Sequence, residues 1–180
     1  MKKQVEWVFL ILETEEDEMI FVEENNENNK PWKKQGQYFL PAGTQEQGEL
    51  LTDTINREFE EETWLNGAAT IIEETLVKIG ELFLETKEFS LKAHVYTWKI
   101  PLNTRIKTKK FNSHEIKRIK VVNPTEILQE NIEKIRPGLI EALWLKHGIS
   151  SNTIYINDWL YEDPQEANNK KEQIKLLYKR

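Results

Sequence analysis

GTQEQGELLTDTINREFEEETWL, residues 43–65, is the stretch of sequence that decides the fold of this chain. It places four glutamates within five positions: Glu58, Glu60, Glu61 and Glu62. On a helix, Glu58, Glu61 and Glu62 stand at i, i+3 and i+4, so their carboxylates share one face. Like charges at this spacing repel by roughly 0.2–0.5 kcal/mol per pair, and a bound divalent cation would offset that repulsion. Carboxylate oxygens are hard ligands that suit Mg²⁺ or Mn²⁺, which commonly bind phosphate-bearing substrates as well.

An apolar stripe runs through the same segment. Its members recur at four-residue intervals: Leu51, Ile55 and Phe59. This period predicts a helix over residues 50–63 with the stripe packed against a core. Arg57 can reach a carboxylate on an adjacent turn or loop, such as Glu49, and fix its orientation. A turn predicted at 41–43 would let the backbone pass close to a metal ion or a phosphate.

The acidity of the chain is concentrated in this segment. Residues 43–65 carry seven carboxylates and one arginine, a balance of −6 that equals the formal net charge of the whole chain. The rest of the chain is therefore electrically balanced. A local excess of negative charge indicates a site that holds cations. The chain also lacks the basic surface that a protein needs to bind long nucleic acid.

Length and composition indicate a globular protein with one main domain. A chain of 180 residues is long enough to bury a sizeable core. The absence of cysteine excludes disulfides and thiolate metal sites. No apolar stretch is long enough to cross a membrane, and Glu6 interrupts the apolar run near the N-terminus that a signal peptide would need. We therefore expect a cytoplasmic protein with no membrane partner.

Apolar runs and turn residues predict the remaining elements. Strands are expected at 5–12, 19–22, 37–40, 69–72, 76–84, 89–100 and 116–122. Further helices are expected at 125–134, after the cap and proline of Asn123-Pro124, and at 137–147, with a polar loop at 103–115. This order predicts a mixed α/β or α+β domain over residues 1–150. In an extension over residues 151–180, we expect apolar packing at 154–160 and a peripheral helix at 165–180.

Two interpretations of the glutamate-rich helix compete: a solvated charged face and a metal-binding face. The spacing of the whole segment favours the second, because it resembles the Nudix box. That pattern is glycine, five residues, glutamate, seven residues, then Arg-Glu-hydrophobic-x-Glu-Glu-x-Gly-hydrophobic. The matching positions here are Gly43, Glu49, Arg57-Glu58-Phe59, Glu61-Glu62 and Leu65. The LPAG at residues 40–43 is also similar to the family's usual LPGG or LPAG.

Trp64 is the one departure from the family pattern, which has glycine at this position. That glycine ends the helix in a left-handed conformation, which strains other residues by roughly 1–2 kcal/mol. Asn66-Gly67 follows at once, so we expect the helix to continue and to end there. The expected metal ligands all precede this position.

The resemblance implies a Nudix α/β/α sandwich with a mixed central sheet and C-terminal helices, covering residues 3–148. It also implies hydrolysis of a pyrophosphate bond in a nucleoside diphosphate linked to another group, X. Carried over to this chain, it assigns Mg²⁺ (or Mn²⁺) binding to Glu58, Glu61 and Glu62. It further implies that Arg57 orients a glutamate and that Glu49 completes the box.

The general base and the substrate are less closely defined by the resemblance. The family draws its base from different places, and Glu62 and Glu115 are both candidates. Trp32 and Tyr38, which flank the LPAG segment, are the candidates for stacking on a base. The substrate is expected to be a nucleoside di- or triphosphate or a small nucleotide derivative, with ADP-ribose or a nucleotide sugar as the alternative. Relatives that cleave ADP-ribose usually carry a proline about sixteen residues beyond the box, and Ile79-Gly80-Glu81-Leu82 has none.

Two other classes of function compete with hydrolysis. One is a Nudix-fold nucleotide-binding regulator that has lost catalysis, although such proteins typically lose a box glutamate and this chain keeps all of them. The other is a purely structural acidic helix. The sequence leaves a homodimer open.

Overall fold

In a computed structural model of the protein, the described residues form one sheet of eight strands. The structure describes residues 3–27, 34–63, 75–85, 89–101, 115–149, 151–156 and 163–178, with the backbone alone for Lys3 and residues 59–63. The strands are β1 (Lys3–Glu13), β2 (Met19–Glu24), β3 (Tyr38–Phe39), β4 (Ala42–Thr44), β5 (Val77–Glu85), β6 (Phe89–Lys99), β7 (Ile116–Val122) and β8 (Thr153–Ile156). The helices are α1 (Leu51–Thr63), α2 (Pro124–Leu128), α3 (Leu139–Lys146) and α4 (Pro164–Leu177).

The sheet is mixed and is built around β1. Its order is β3-β2-β1-β6-β5-β8, with β4 paired to β1 and β7 paired to β2. β1 runs parallel to β6 over eleven residue pairs, from Lys3 opposite Phe89 to Glu13 opposite Lys99. The strands predicted at 5–12, 19–22, 76–84, 89–100 and 116–122 are confirmed. The strand predicted at 69–72 and residues 103–114 of the predicted loop lie outside the described residues.

Helices cover both faces of the sheet, which confirms the expected α/β/α sandwich. On one face, Ile55 of α1 packs with inward side chains of β1 that include Val8, Leu10 and Leu12. On the other face, the larger core joins Phe9 and Ile11 of the same strand to α2, α3 and α4. Alternate residues of β1 therefore serve opposite layers, as the two-residue period of a strand requires.

The segment around Gly43 differs from its prediction. A turn was expected at 41–43, but Ala42–Thr44 is a short strand that runs antiparallel to β1. Thr44, Gly43 and Ala42 lie opposite Trp7, Val8 and Phe9. Three residues carry too little pattern to reveal a strand, and pairing with the central strand decides their conformation.

The helix predicted at 125–134 is shorter than expected. Asn123 caps α2 by accepting a hydrogen bond from the Thr125 N–H at 3.0 Å, as the Asn-Pro signal predicts. The helix ends at Leu128, and Asn131 then begins a separate 3₁₀ turn at Ile132–Lys134 by accepting from the Glu133 N–H. The second cap interrupts the helix because an asparagine side chain competes for backbone N–H groups.

The helix predicted at 137–147 is confirmed as α3, which is slightly shorter at both ends. Gly138, at φ 97°, directly precedes α3, and Gly148, at φ 63°, follows it. Both values lie in the left-handed region, where glycine is favoured, so these residues bound the helix.

Residues beyond 150 extend the same sheet. β8 pairs in parallel with β5, from Thr153 opposite Glu81 to Ile156 opposite Leu84. The helix predicted at 165–180 is present as α4, but it is not peripheral, because Ile174 is fully buried in the larger core. Among the helices of the described residues, none combines the length and the apolar character needed to cross a membrane.

Gly80 of β5 allows the chain at the start of β8 to pack closely against β5. A Cβ added at this position would lie 2.6 Å from the Asn152 carbonyl oxygen and 2.8 Å from Leu145 Cδ2. We predict that Gly80→Ala lowers the free energy of unfolding by about 1–3 kcal/mol, because the chain must shift to admit the methyl group. Val77→Ala, on the exposed start of the same strand, should change stability by less than about 0.5 kcal/mol. Urea denaturation of both variants measures the difference, and equal stabilities would contradict the packing argument.

Candidate functional site

Helix α1 is fixed on the sheet by the stripe that the sequence predicts. Ile55 is buried and Leu51 packs partly buried against the same core, whereas the side chain of Phe59 lies outside the described residues. The first turn begins at Leu50, whose carbonyl accepts from the N–H groups of Asp53 and Thr54. This packing places Glu58 over β4.

Gly43 makes room for the Glu58 carboxylate. A Cβ added to Gly43 would lie 1.8 Å from Glu58 Cδ, a distance that no side chain tolerates. The glycine of the box is therefore required here for close approach, and its φ is not in the left-handed region. Only 12% of the Glu58 side chain is exposed. The carboxylate is thus held directly against the backbone of β4.

Arg57 ties three segments of the box together. Its Nε and Nη2 donate to the two carboxylate oxygens of Glu49, each at 3.0 Å. Its Nη1 donates to Glu58 Oε1 at 2.6 Å, and Nη2 also donates to the Thr44 carbonyl at 3.0 Å. A planar guanidinium with a paired contact to one carboxylate is held in a single orientation. The structure therefore brings together Glu49, Arg57 and Glu58, as the spacing predicts.

The loop before α1 presents Glu49 to Arg57. The Gln45 N–H donates to the Glu6 carbonyl of β1 at 3.0 Å, which fixes the start of the loop. The Gln45 side chain donates to the Glu49 carbonyl at 2.8 Å, and Gly48, at φ 85°, reverses the chain between them. A glycine is suited to this reversal because other residues are strained at such a φ.

Glu49 is an anchor with a strongly lowered pKa. Hydrogen bonds from Arg57, from the Glu46 N–H and from the Thr54 hydroxyl lower the pKa of its carboxyl to about 2. The same contact with Glu49 raises the pKa of Arg57. Glu49 is therefore ionised near neutral pH and is a weak proton acceptor, since the donors favour its charged form.

Thr54 belongs to this network, and the sequence analysis missed it. Its side chain is fully buried, and its hydroxyl donates to Glu49 Oε2 at 2.7 Å. A signal was available: Thr54 lies between Leu51 and Ile55 on the inward face of a predicted amphipathic helix. A hydroxyl in an apolar stripe needs a hydrogen-bond partner when it is buried.

Several predicted site residues lie elsewhere or outside the described residues. Glu115 directly precedes β7, is exposed, and accepts from the Asn25 N–H through its carbonyl at 2.7 Å. Tyr38 is only 4% exposed, accepts a hydrogen bond from Arg118 and has the Lys120 Nζ 4.4 Å from its ring centre. This burial leaves little ring surface for a base. Trp32, Trp64 and the side chains of Glu61 and Glu62 are not among the described residues.

A second polar cluster lies at the end of β2, and the sequence analysis also missed it. Arg136 and Glu24 form an ion pair at 2.5 Å with each side chain about 6% exposed. The Arg136 guanidinium lies over the rings of Phe39 at 4.5 Å and Trp7 at 5.1 Å. Such a pair stabilises one packing arrangement, because removing either partner leaves a buried charge. Its members are too distant in sequence to form a recognisable pattern.

The donor set around Glu58 fits a hard divalent cation. Glu58 supplies a carboxylate, the donor type that such a cation prefers, and its i+3 and i+4 neighbours on α1 are also glutamates. Within the described ranges, no three acidic or imidazole side chains gather as a metal site. The side chains of Glu61 and Glu62 fall outside those ranges, so the assigned triad stays a prediction.

Comparison with known proteins agrees with this architecture. The NUDIX domain model matches residues 3–143. A MutT protein from Methanosarcina mazei Go1 superposes with a TM-score of 0.53 and 15% identity, covering 99% of this chain and 98% of that one. A NUDIX hydrolase from Nitrosomonas europaea gives 0.60 and 17%, covering 91% and 99%.

A third similar structure is the NUDIX domain of Shewanella oneidensis NrtR complexed with ADP ribose. It superposes with a TM-score of 0.61 and 16% identity, covering 83% of this chain and 90% of that chain. At these identities, the similarity to solved structures shows the fold alone. No curated protein sequence matches this chain significantly.

The contact between Gly43 and Glu58 gives a direct test. We predict that Gly43→Ala weakens Mn²⁺ binding by about tenfold or more, because the added methyl group displaces the Glu58 carboxylate. Electron paramagnetic resonance of free Mn²⁺ measures the affinity without substrate. Ala42→Ser, on the neighbouring residue of β4, is the control and should bind within about twofold of the original protein. Equal affinity for Gly43→Ala would show that Glu58 does not contribute to the site.

The titration of Glu49 gives a second test. Its pKa of about 2 lies below the ordinary value of 4.5. The bridge to Arg57 therefore stabilises the fold above the pKa of the unfolded chain, and this contribution is lost as pH falls from about 4.5 toward 2. We predict a midpoint near 2 for Glu49 by ¹³C NMR and an upward shift in Arg57→Gln. A midpoint above 4 in the unsubstituted protein would refute the anchor role.

Proposed function

Since this chain belongs to the NUDIX family, we propose that it hydrolyses a pyrophosphate bond in a nucleoside diphosphate linked to a group X. The proposed substrate is a nucleoside di- or triphosphate or a small nucleotide derivative, and the proposed cofactor is Mg²⁺ or Mn²⁺. The observation that carries the proposal is the arrangement of Arg57, with Glu49 on one side and Glu58 held over Gly43 on the other.

The box residues divide into ligands and supports in this proposal. Glu58, Glu61 and Glu62 hold the divalent cation. When bound, such a cation neutralises the diphosphate and makes water easier to deprotonate. Arg57 holds the Glu58 carboxylate in place through the hydrogen bond at 2.6 Å. Glu49 holds Arg57, and its low pKa makes it unsuited to accept a proton from water.

The proposed general base is therefore a carboxylate other than Glu49. Glu62 is the candidate within the box, on the same helical face as Glu58 by its i+4 spacing. Glu115 is the candidate outside it and is exposed at the start of β7. A base must reach the attacking water directly or through one further water, so the two candidates predict different effects of substitution.

ADP-ribose is the second candidate substrate. It is favoured by one specific observation, that the structurally similar NrtR domain of Shewanella oneidensis is complexed with ADP ribose. The missing proline in the stretch Ile79-Gly80-Glu81-Leu82 counts against it. The two substrate classes are separated by direct assay.

The test is a panel of nucleoside di- and triphosphates, ADP-ribose and nucleotide sugars with Mg²⁺. We predict turnover of at least one member, lost on addition of EDTA. Glu58→Gln and Glu62→Gln should each lower kcat by about a hundredfold or more, because each removes a carboxylate from the reacting centre. Glu60→Gln, at a position the box leaves unspecified, is the matched control and should stay within about twofold.

Other outcomes of these assays would indicate a different function or a different general base. Nucleotide binding without turnover on any member would favour a non-catalytic regulator. Equal effects of Glu60→Gln and Glu62→Gln on Mn²⁺ affinity would favour an unspecific acidic face. Loss of turnover in Glu115→Gln but not in Glu62→Gln would assign the base to Glu115.

A further inference from the structure

We propose that Thr54, at a position the Nudix box leaves unspecified, is a positioning residue for the metal-binding carboxylate of Glu58. It acts through Glu49 and Arg57, and the inference rests on the hydrolase function proposed above. The Thr54 hydroxyl donates to Glu49, which is not one of the assigned metal ligands, and it is assigned no contact with a reacting atom. Thr54 fixes Glu49, Glu49 fixes Arg57, and Arg57 holds the carboxylate of Glu58.

The local hydrogen bonds direct the Thr54 hydroxyl toward Glu49. The hydroxyl has one proton and two neighbouring acceptors, Glu49 Oε2 at 2.7 Å and the Leu50 carbonyl at 3.3 Å. The Leu50 carbonyl already accepts from the backbone N–H groups of Asp53 at 3.0 Å and Thr54 at 3.1 Å. The shorter contact is also the one to an ionised oxygen, which is the stronger acceptor. The proton of Thr54 therefore lies toward Glu49.

This hydroxyl completes the fixation of the Glu49 carboxylate. Oε2 receives Thr54 Oγ1 at 2.7 Å, the Glu46 N–H at 3.0 Å and Arg57 Nη2 at 3.0 Å. Oε1 receives Arg57 Nε at 3.0 Å. Donors from the loop, from the first turn of α1 and from its second turn fix both the position and the plane of the carboxylate. The paired contact then fixes the plane of the guanidinium.

The orientation of the Arg57 guanidinium determines the position of the Glu58 carboxylate. With Nε and Nη2 engaged by Glu49, Nη1 is directed at Glu58 Oε1 at 2.6 Å. A displacement of Glu49 therefore moves the donor that holds Glu58. Small displacements matter at such a site, because catalysis depends on alignment to a fraction of an ångström.

A competing account makes Thr54 an ordinary core residue. It is fully buried and β-branched, so it would also fill space on the inward face of α1. Valine separates the two accounts, because it preserves the shape and the branch but cannot donate. A methyl group cannot approach an oxygen as closely as the hydroxyl does, at 2.7 Å. In Thr54→Val, the Glu49 carboxylate must therefore move away from α1.

The experiment compares Thr54→Val with Thr54→Ser, which keeps the donor and loses the methyl group. Thr52→Val, the same change two residues earlier on α1, is the matched control. We expect Thr54→Val to weaken Mn²⁺ binding and to lower kcat, each by about tenfold, because a charged hydrogen bond is lost. KM should change by less than about threefold, since no contact to substrate is assigned to Thr54. Thr54→Ser and Thr52→Val should stay within about threefold of the original protein in both measurements.

Other results would overturn the positioning role. Unchanged Mn²⁺ affinity and kcat in Thr54→Val would do so, even if urea denaturation showed lower stability. Equal losses in Thr54→Ser and Thr54→Val would assign the effect to packing of the methyl group. If Thr54→Val does not fold, Thr54→Ala supplies the variant without a donor.

The Mn²⁺ measurement separates this inference from the proposed function. If the original protein turns over no substrate, the hydrolase assignment fails while the affinities still report on the position of Glu58. If it turns over substrate and Thr54→Val equals it in every measurement, only the role of Thr54 fails.

Discussion

The paired contact between Arg57 and Glu49 is the interaction on which the rest of the site depends. Glu49 lies on a loop, Glu58 on a helix and Thr44 on a strand, and the Arg57 guanidinium donates to all three. A single charged side chain therefore joins a loop, a helix and a strand. A rigid planar cation with five donors is suited to this task, whereas lysine offers only a point charge.

The contact also explains how so much negative charge is tolerated. Residues 43–65 contain one basic residue among seven carboxylates, and that residue is Arg57. Two of the carboxylates, Glu49 and Glu58, bond directly to it. The charge of Arg57 therefore offsets one of these two negative charges. For the remaining glutamates of α1, a divalent metal ion is the partner that the spacing in the sequence favours.

The sheet contributes the fixed surface under this network. β1 is paired along its whole length to β6, and its Val8 lies opposite Gly43 of β4. The side chain that Gly43 lacks is replaced in space by the Glu58 carboxylate. The central strand thus holds the backbone that the carboxylate approaches. On the same face, Ile55 packs into the core and anchors α1, so that the next turn of the helix lies over β4.

Local patterns in the sequence determined the long elements and the core of the site. The strand periods of β1, β5 and β6, the stripe of α1 and the spacing of Glu49, Arg57 and Glu58 are all short-range features, and each predicted its structure. Only the tertiary structure decided that residues 42–44 form a strand, that a second cap interrupts the helix after Leu128, and that β8 joins the sheet. It also decided that Thr54 faces Glu49 and that Arg136 pairs with Glu24 across more than a hundred residues. The physical reason is that pairing, burial and ion pairs between distant segments depend on which surfaces meet, and no local period encodes that meeting.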